Sequence, residues 1–300
     1  MDAVDVLLNG FSVVKDNPKV ILVYLILSAL SFASASPLLL TFLSNKATIV
    51  NIANTNSFTP GVAKVGAELV LSGILAAVLL LVIALFIQPM FVGMIIEAGF
   101  QSASRKYISL NEAFDKAKSR YVKLVWTNFL VSVIEILGAL AVVILLVIIL
   151  LAGINSTVLA LFLLISAVIA IAYAVLAAIL LYLAMPAVMA ENKSGIAALR
   201  ISYNITRKDK AGIFAIFVVV GIISFLASTI IGNIMGALGS KTIFLFPTAA
   251  SIAIFAISVF ILLLINGFVY SWLLVTSALM YLSYKRGTLG RKSDPVKKAV

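Results

Sequence analysis

The chain of 300 residues contains no cysteine and no histidine. Without cysteine it can form neither a disulfide nor a thiolate metal site, and without histidine it lacks the base used in Ser-His and Cys-His catalysis. Charged residues make up only 11% of the chain, whereas a soluble domain carries about 25%. Because 63% of the residues are hydrophobic, too little polar surface remains to cover the outside in water. These scarcities predict a protein that folds in a lipid bilayer.

Long apolar segments alternate with short polar ones, and each is long enough to cross the roughly 30 Å hydrocarbon core as a helix. We predict six transmembrane helices, at about 19–42, 68–97, 124–151, 158–189, 213–238 and 249–282. The predicted fold class is therefore an all-α integral membrane protein. Pro89 removes a backbone hydrogen bond to the carbonyl of Leu85, so we expect a kink in the second span.

The basic residues predict the orientation of these spans. The connections on one side hold 19 of the 22 Lys and Arg residues, and those on the other side hold three. Connections rich in Lys and Arg stay in the cytoplasm, so we predict a multi-pass protein of the plasma membrane with both termini in the cytoplasm. Basic residues that flank spans meet anionic lipid. The net charge of +11 is thus read as binding to the bilayer and not to nucleic acid.

Three polar segments on the cytoplasmic side carry apolar residues three or four positions apart, which indicates one face of a helix. The predicted faces are Ala3, Leu7, Phe11 and Val14; Leu110, Phe114, Ala117 and Tyr121; and Ile196, Leu199, Tyr203 and Thr206. We expect these amphipathic helices to lie along the membrane surface.

Each amphipathic helix is followed by an outgoing and a returning span, so the arrangement predicts three parallel repeats. We place the repeats at 1–98, 99–190 and 191–284 of a single transmembrane domain, 1–284, with a basic cytoplasmic tail at 285–300. Two of the returning spans share a local pattern, since Pro89 precedes Glu97 by eight residues and Pro186 precedes Glu191 by five.

One motif begins at that second proline. It runs Pro186-Ala-Val-Met-Ala-Glu-Asn-Lys-Ser-Gly-Ile-Ala-Ala-Leu-Arg-Ile-Ser-Tyr, and the basic turn Arg207-Lys208-Asp209-Lys210 and a new span follow. The pattern resembles a signature of six-span prokaryotic proteins that are similar to YciC-like proteins and to the membrane domain attached to some glycerophosphodiester phosphodiesterases. The resemblance covers the three units in layout and residues 186–212 in sequence. It implies a membrane role without a settled chemistry and transfers no functional residue, and the sequence contains no phosphodiesterase barrel.

Glu135 is the sharpest candidate for a functional side chain. It lies eleven residues into the third predicted span, about 16 Å from the cytoplasmic edge and near the midplane. A carboxylate there is costly unless it is protonated or paired. Asn128 and Ser132 share its helix face, and Tyr173 and Asn266 lie at similar depth on other spans. The group predicts a proton-titrating or substrate-binding site, or alternatively a neutral Glu135 that joins helices by hydrogen bonds.

A second pattern occurs in the fifth predicted span. Small residues recur there at strict four-residue spacing: Ser224, Ser228, Gly232 and Gly236. Such a row lets another helix approach closely. We expect it to pack inside the bundle, and a homodimer seam is the alternative.

The sequence shows no phosphate loop, no paired carboxylates at catalytic spacing and no acidic metal cluster, so we predict neither an enzyme nor a cofactor. The favoured hypothesis is a membrane scaffold, assembly or lipid-organising protein whose partner is the bilayer. The alternative is a small-molecule or lipid transporter that uses the site around Glu135. A homo-oligomer or a membrane-protein partner stays open in both.

Overall fold

The computed structural model describes residues 3–45, 60–104, 107–151, 156–239 and 249–287. Throughout these ranges the regular secondary structure is helical, without a strand. The predicted all-α class is thereby confirmed. The predicted external connections and the basic tail lie largely outside the described residues.

The helices follow one another in a simple order. They are α1 Ala3–Asp16, α2 Lys19–Ser34, α3 Ser36–Ser44, α4 Pro60–Val82, α5 Gln88–Ser104, α6 Leu110–Ser119, α7 Tyr121–Leu151, α8 Ser156–Leu181, α9 Ala184–Glu191, α10 Ile196–Thr206, α11 Lys210–Gly239 and α12 Ala249–Lys285. A five-residue π-helix, Ile83–Ile87, joins α4 to α5. We refer to α1, α6 and α10 as the connector helices, because each precedes a longer apolar helix.

Four helical segments in the described part of the chain are long and apolar enough to cross a membrane. They are Lys19–Leu38, Ala63–Ser104, Ile165–Glu191 and Val259–Lys285. The chain is therefore a membrane protein by the length and composition of its helices. The third and fifth predicted spans fall on α7 and α11, and α11 begins with the shorter apolar helix Lys210–Ile223.

The π-helix Ile83–Ile87 lies just before Pro89, where the sequence predicts a kink. The N–H of Gln88 bonds to the carbonyl of Ile83, five residues earlier, immediately before the proline. A proline ring clashes with the carbonyl of the preceding turn, and a wider π turn is one of the ways in which a helix accommodates such a break. The irregular turn is thus explained by local sequence.

By compactness the chain divides into two units, each assembled from separate stretches. The first comprises Met1–Asp16, Val92–Val220 and Trp272–Val300, and the second comprises Asn17–Phe91 and Gly221–Ser271. The first unit contains all three connector helices and residues from each predicted repeat. The second contains residues from the first and third predicted repeats only.

The first unit has a dense core in which glycines let helices approach one another. A Cβ atom on Gly93 would lie 2.7 Å from Leu124, and one on Gly99 would lie 2.8 Å from the Cβ of Ala278. The largest fully buried side chains of this core include Ile95, Ile96, Leu124, Leu183, Met189, Met280 and Tyr281. Bulky side chains therefore fill the spaces between backbones that small residues bring together.

The second unit is held by contacts of α2 with α12 and of α3 with α4. The rings of Tyr24 and Tyr270 stack with their centroids 4.9 Å apart, and the Ser271 hydroxyl donates to the carbonyl of Val20 at 3.4 Å. Gly267 lies against Ile21 and Leu25. Most side chains of α4 are exposed, as expected of a helix whose surroundings are lipid.

We expect Gly99→Ala to destabilise the protein by about 1–3 kcal/mol. The added methyl group would lie too close to Ala278 and to the Val275 carbonyl, so the surrounding atoms would have to shift. Gly66→Ala is the matched control, since no atom lies within 4 Å of its added Cβ, and removing a helical glycine gains up to about 1 kcal/mol. Unfolding of both variants in mixed micelles measures the difference. Equal stabilities would contradict the close packing at Gly99.

Candidate functional site

The predicted midplane residues lie on three helices, α7, α8 and α12. Glu135 is exposed on α7, whereas Asn128 and Ser132 are half-buried. The hydroxyl of Tyr173 donates to the carbonyl of Ile134 at 2.7 Å, which brings α8 beside the residue that precedes Glu135. Asn266 belongs to the second unit, and its amide donates to Leu262 of its own helix at 2.9 Å. The described contacts of Tyr173 and Asn266 are therefore to backbone carbonyls.

The row of small residues on α11 stays a prediction. Its backbone is helical at Ser224, Ser228, Gly232 and Gly236. The surroundings of these four residues lie outside what the structure describes.

A buried carboxylate stands out near the end of α5. Glu97 is only 5% exposed, and its Oε1 accepts a hydrogen bond from the Nζ of Lys116 on α6 at 2.8 Å. Its other oxygen, Oε2, is buried and has no hydrogen-bond partner among the described residues. A buried charged group with one oxygen unsatisfied is costly, so this carboxylate has unused capacity to accept hydrogen bonds.

The contacts that place Lys116 beside Glu97 are local. One turn beyond Glu97, the side-chain oxygen of Gln101 accepts the backbone N–H of Ser109 at 2.9 Å. The Ser109 hydroxyl in turn accepts the N–H of Glu112 and caps the start of α6. The end of α5 and the beginning of α6 are thus tied together, and Lys116 lies two turns into α6.

These residues surround an open cavity of about 310 Å³. Its lining consists of Glu97, Phe100, Gln101, Ser104, Glu112 and Lys116. We call it the Glu97 pocket. A pocket of this volume is at the lower end of the range that small ligands occupy.

A second carboxylate, Glu191, joins the ends of α9 and α12. Glu191 accepts a hydrogen bond of 2.6 Å from the hydroxyl of Tyr281 and a contact of 3.4 Å from the Nζ of Lys285. A smaller cavity of about 220 Å³ lies beside it, lined by Glu191, Ile205, Lys208, Tyr281, Tyr284 and Lys285. Here the carboxylate is satisfied by groups of the protein itself, which favours a structural role.

The part of the motif that follows Glu191 forms a tight turn. Asn192 and Gly195 have positive φ angles of 58° and 55°. The Nζ of Lys123 donates to the carbonyl and to the side-chain oxygen of Asn192 at 3.1 and 2.9 Å, and the N–H of Gly195 donates to Thr127 at 2.8 Å. A Cβ on Gly195 would collide with Trp126. Glycine is required there by both backbone and space.

The beginning of the motif is buried. Pro186 and the three residues after it have little or no exposure. The Ser202 hydroxyl accepts the N–H of Leu183 at 3.1 Å and donates to the carbonyl of Leu180 at 2.7 Å. Arg120 donates to the carbonyl of Val188 at 3.2 Å. The motif's residues therefore satisfy backbone groups where α8 gives way to α9 and α10.

Sequence reasoning did not identify the Glu97 pocket. In the sequence, Glu97 is an acid that follows Pro89, in the same way as Glu191 follows Pro186. That similarity of position after a proline is the signal that the sequence offers. Its pairing with Lys116 was not visible in the helical periodicity of either segment.

Residues 1–283 match a family described as a domain of unknown function (DUF7847), and the chain belongs to that family. No curated protein and no solved structure matches the chain.

We expect Tyr281→Phe to lower the free energy of unfolding by about 1–2 kcal/mol, since it removes a charge-assisted hydrogen bond to Glu191 and leaves the ring in place. Tyr203→Phe, at an exposed position, is the control and should change stability by less than about 0.5 kcal/mol. Denaturation of both variants in the same detergent compares them. A Tyr281→Phe protein as stable as the control would refute the structural role of this bond.

Proposed function

We propose that this member of the family is a six-span protein of the plasma membrane, with both termini in the cytoplasm, that scaffolds or organises lipid without catalysing a reaction. One observation carries the proposal. Each connector helix buries one face against the protein and leaves bulky apolar side chains exposed beside it. A membrane-associated helix uses exposed apolar residues of this kind to enter the interface.

α1 has three distinct faces. The exposed apolar face carries Val4, Leu8 and Phe11, and the exposed Lys15 continues it. The buried residues form the neighbouring face: Ala3, Val6, Leu7, Gly10 and Val14. Polar side chains occupy the remaining face: Asp5, Asn9, Ser12 and Asp16. One apolar edge of the helix thus contacts protein, and the other is available to lipid.

The other connector helices follow the same scheme. On α6 the buried residues are Ala113 and Ala117, while Phe114 is exposed. On α10 the buried residues are Ala198, Ser202 and Thr206. Ile196 and Tyr203 of that helix are 68% and 46% exposed. Most of the face predicted for α1 is buried in the protein, namely Ala3, Leu7 and Val14. The predicted residues that stay exposed are Phe11, Phe114, Ile196 and Tyr203, and these bulky side chains support a position at the membrane surface.

Basic side chains lie beside these apolar faces. Arg200 and Arg207 are exposed on or next to α10, and Lys118 is exposed on α6. Each Lys or Arg near an anionic leaflet contributes about 1 kcal/mol to binding. The combination of exposed aromatic and aliphatic residues with nearby basic residues supports anionic phospholipid as the partner.

The lengths of the helices support six spans. α7 and α11 have 31 and 30 residues, which corresponds to about 45 Å along a helix axis and exceeds the hydrocarbon core. The recurring order of one connector helix and two long helices supports the three parallel repeats. The proposal includes the resemblance of residues 186–212 to YciC-like proteins.

Transport has weaker support. Glu135 is exposed on α7, and it does not line the Glu97 pocket or the smaller cavity beside Glu191. A lipid-organising role requires no internal path, so it agrees better with these surroundings.

The double variant Arg200→Gln/Arg207→Gln should bind fluorescent phosphatidylglycerol about thirtyfold more weakly, since two surface charges together contribute about 2 kcal/mol. Titration of the purified protein in uncharged detergent measures the affinity, and added salt should reduce the difference. Lys64→Gln, at an exposed residue on the other predicted side, should have little effect. An equal loss in both proteins would rule out a specific anionic-lipid surface.

The absence of cysteine allows the topology to be measured cleanly. In intact cells a membrane-impermeant maleimide should label Lys64→Cys and leave Asn204→Cys unlabelled. After the membrane is permeabilised, both exposed positions should react. Labelling of Asn204→Cys in intact cells would contradict a cytoplasmic location for α10 and, with it, the proposed orientation.

A further inference from the structure

We propose that the Glu97 pocket binds a primary ammonium group, either of a small water-soluble amine or of an aminophospholipid headgroup. The inference rests on the pocket alone and is independent of the anionic-lipid surface proposed above. Glu97 offers a buried oxygen that has no partner among the described residues, and that oxygen belongs to a side chain lining an open cavity. A ligand that donates a hydrogen bond to Oε2 would remove the cost of leaving it unsatisfied.

The charge of the lining favours a cation. The lining contains two carboxylates, Glu97 and Glu112, and one ammonium, Lys116. An anion would be repelled by the oxygen that lacks a partner.

Lys116 shows which donor suits this carboxylate. Its ammonium group already donates to Oε1 at 2.8 Å. A second ammonium at Oε2 would repeat the same interaction on the other oxygen, since a carboxylate accepts at both. The internal lysine is thus a guide to the chemistry of the external ligand.

The size and remaining lining of the pocket favour an organic amine over a bare ion. A volume of about 310 Å³ corresponds to roughly ten water molecules. No group of three metal-ligating side chains occurs in the described parts of the chain, so a bare ion would have few protein ligands. Phe100 adds an apolar wall, against which the carbon atoms next to an ammonium can pack.

Ethylammonium is the probe for the first experiment. It is titrated at pH 8 into the full-length protein in phosphatidylcholine nanodiscs, and binding is followed by saturation-transfer NMR. We expect saturable binding, and we expect tetramethylammonium, which has the same charge but no N–H donor, to bind at least tenfold more weakly. Equal binding of the two cations would overturn the proposal.

Three variants test the assignment to Glu97. Glu97→Gln should weaken ethylammonium binding at least tenfold. Glu191→Gln, which changes a carboxylate already bonded to Tyr281 and Lys285, should leave binding unchanged. Lys116→Met removes the internal competitor, so it should tighten binding several-fold. A purely structural role of the pair predicts weaker binding in Lys116→Met.

Lys116→Met tests the proposal by itself if Glu97→Gln does not fold. Its expected effect is tighter ethylammonium binding, the opposite of the effect expected for Glu97→Gln. Unchanged or weaker binding in Lys116→Met would overturn the assignment. Unchanged binding in a folded Glu97→Gln protein would do the same.

Nanodiscs that contain phosphatidylethanolamine identify the source of the amine. A lower apparent affinity for ethylammonium in these discs shows that the lipid headgroup competes for the pocket and supports an aminophospholipid. An affinity equal to that in phosphatidylcholine discs supports a water-soluble amine. Both results support binding of an ammonium group in the Glu97 pocket.

Discussion

Helices in a bilayer gain little by burying apolar surface against one another, because lipid chains are as apolar as leucine side chains. The helices of this chain must therefore associate by close approach and by polar contacts. Gly93 and Gly99 remove side chains at the points where α5 meets other helices, and Gly10 does so where α1 lies against Thr276. The core of the first unit depends on these approaches, and most side chains of α4 remain exposed, as lipid surroundings allow.

The same constraint explains where the polar pairs occur. Glu97 with Lys116 and Glu191 with Tyr281 and Lys285 lie near the ends of long apolar helices, not in the middle of them. An ion pair gains strength when water is partly excluded, but removing both charges from water is costly. A position near the end of a span provides partial burial while water remains close. These pairs can therefore fix which helix ends meet without the full cost of a charge at midplane.

Local features were predictable from the sequence, whereas the choice of partner was not. The predicted amphipathic helix at the start of the chain is α1, Ala3–Asp16, because its apolar spacing and the following Asn17-Pro18 are local signals. Leu7 and Leu8 are neighbours of identical chemistry, yet Leu7 is buried and Leu8 is 60% exposed. The ring N–H of Trp272 donates to the carbonyl of Leu7 across 265 residues of sequence, a contact that no local signal predicts.

The contrast between Glu97 and Glu191 separates a structural carboxylate from a candidate binding one. Both follow a proline in a long apolar helical segment, and both contact a lysine. Glu191 also accepts the hydroxyl of Tyr281, so a group of the protein completes its hydrogen bonding. Glu97 has no such hydroxyl on Oε2 among the described residues, and a cavity lies beside it. The oxygen without a described partner and the cavity beside it therefore distinguish the proposed ammonium site from the structural contact at Glu191.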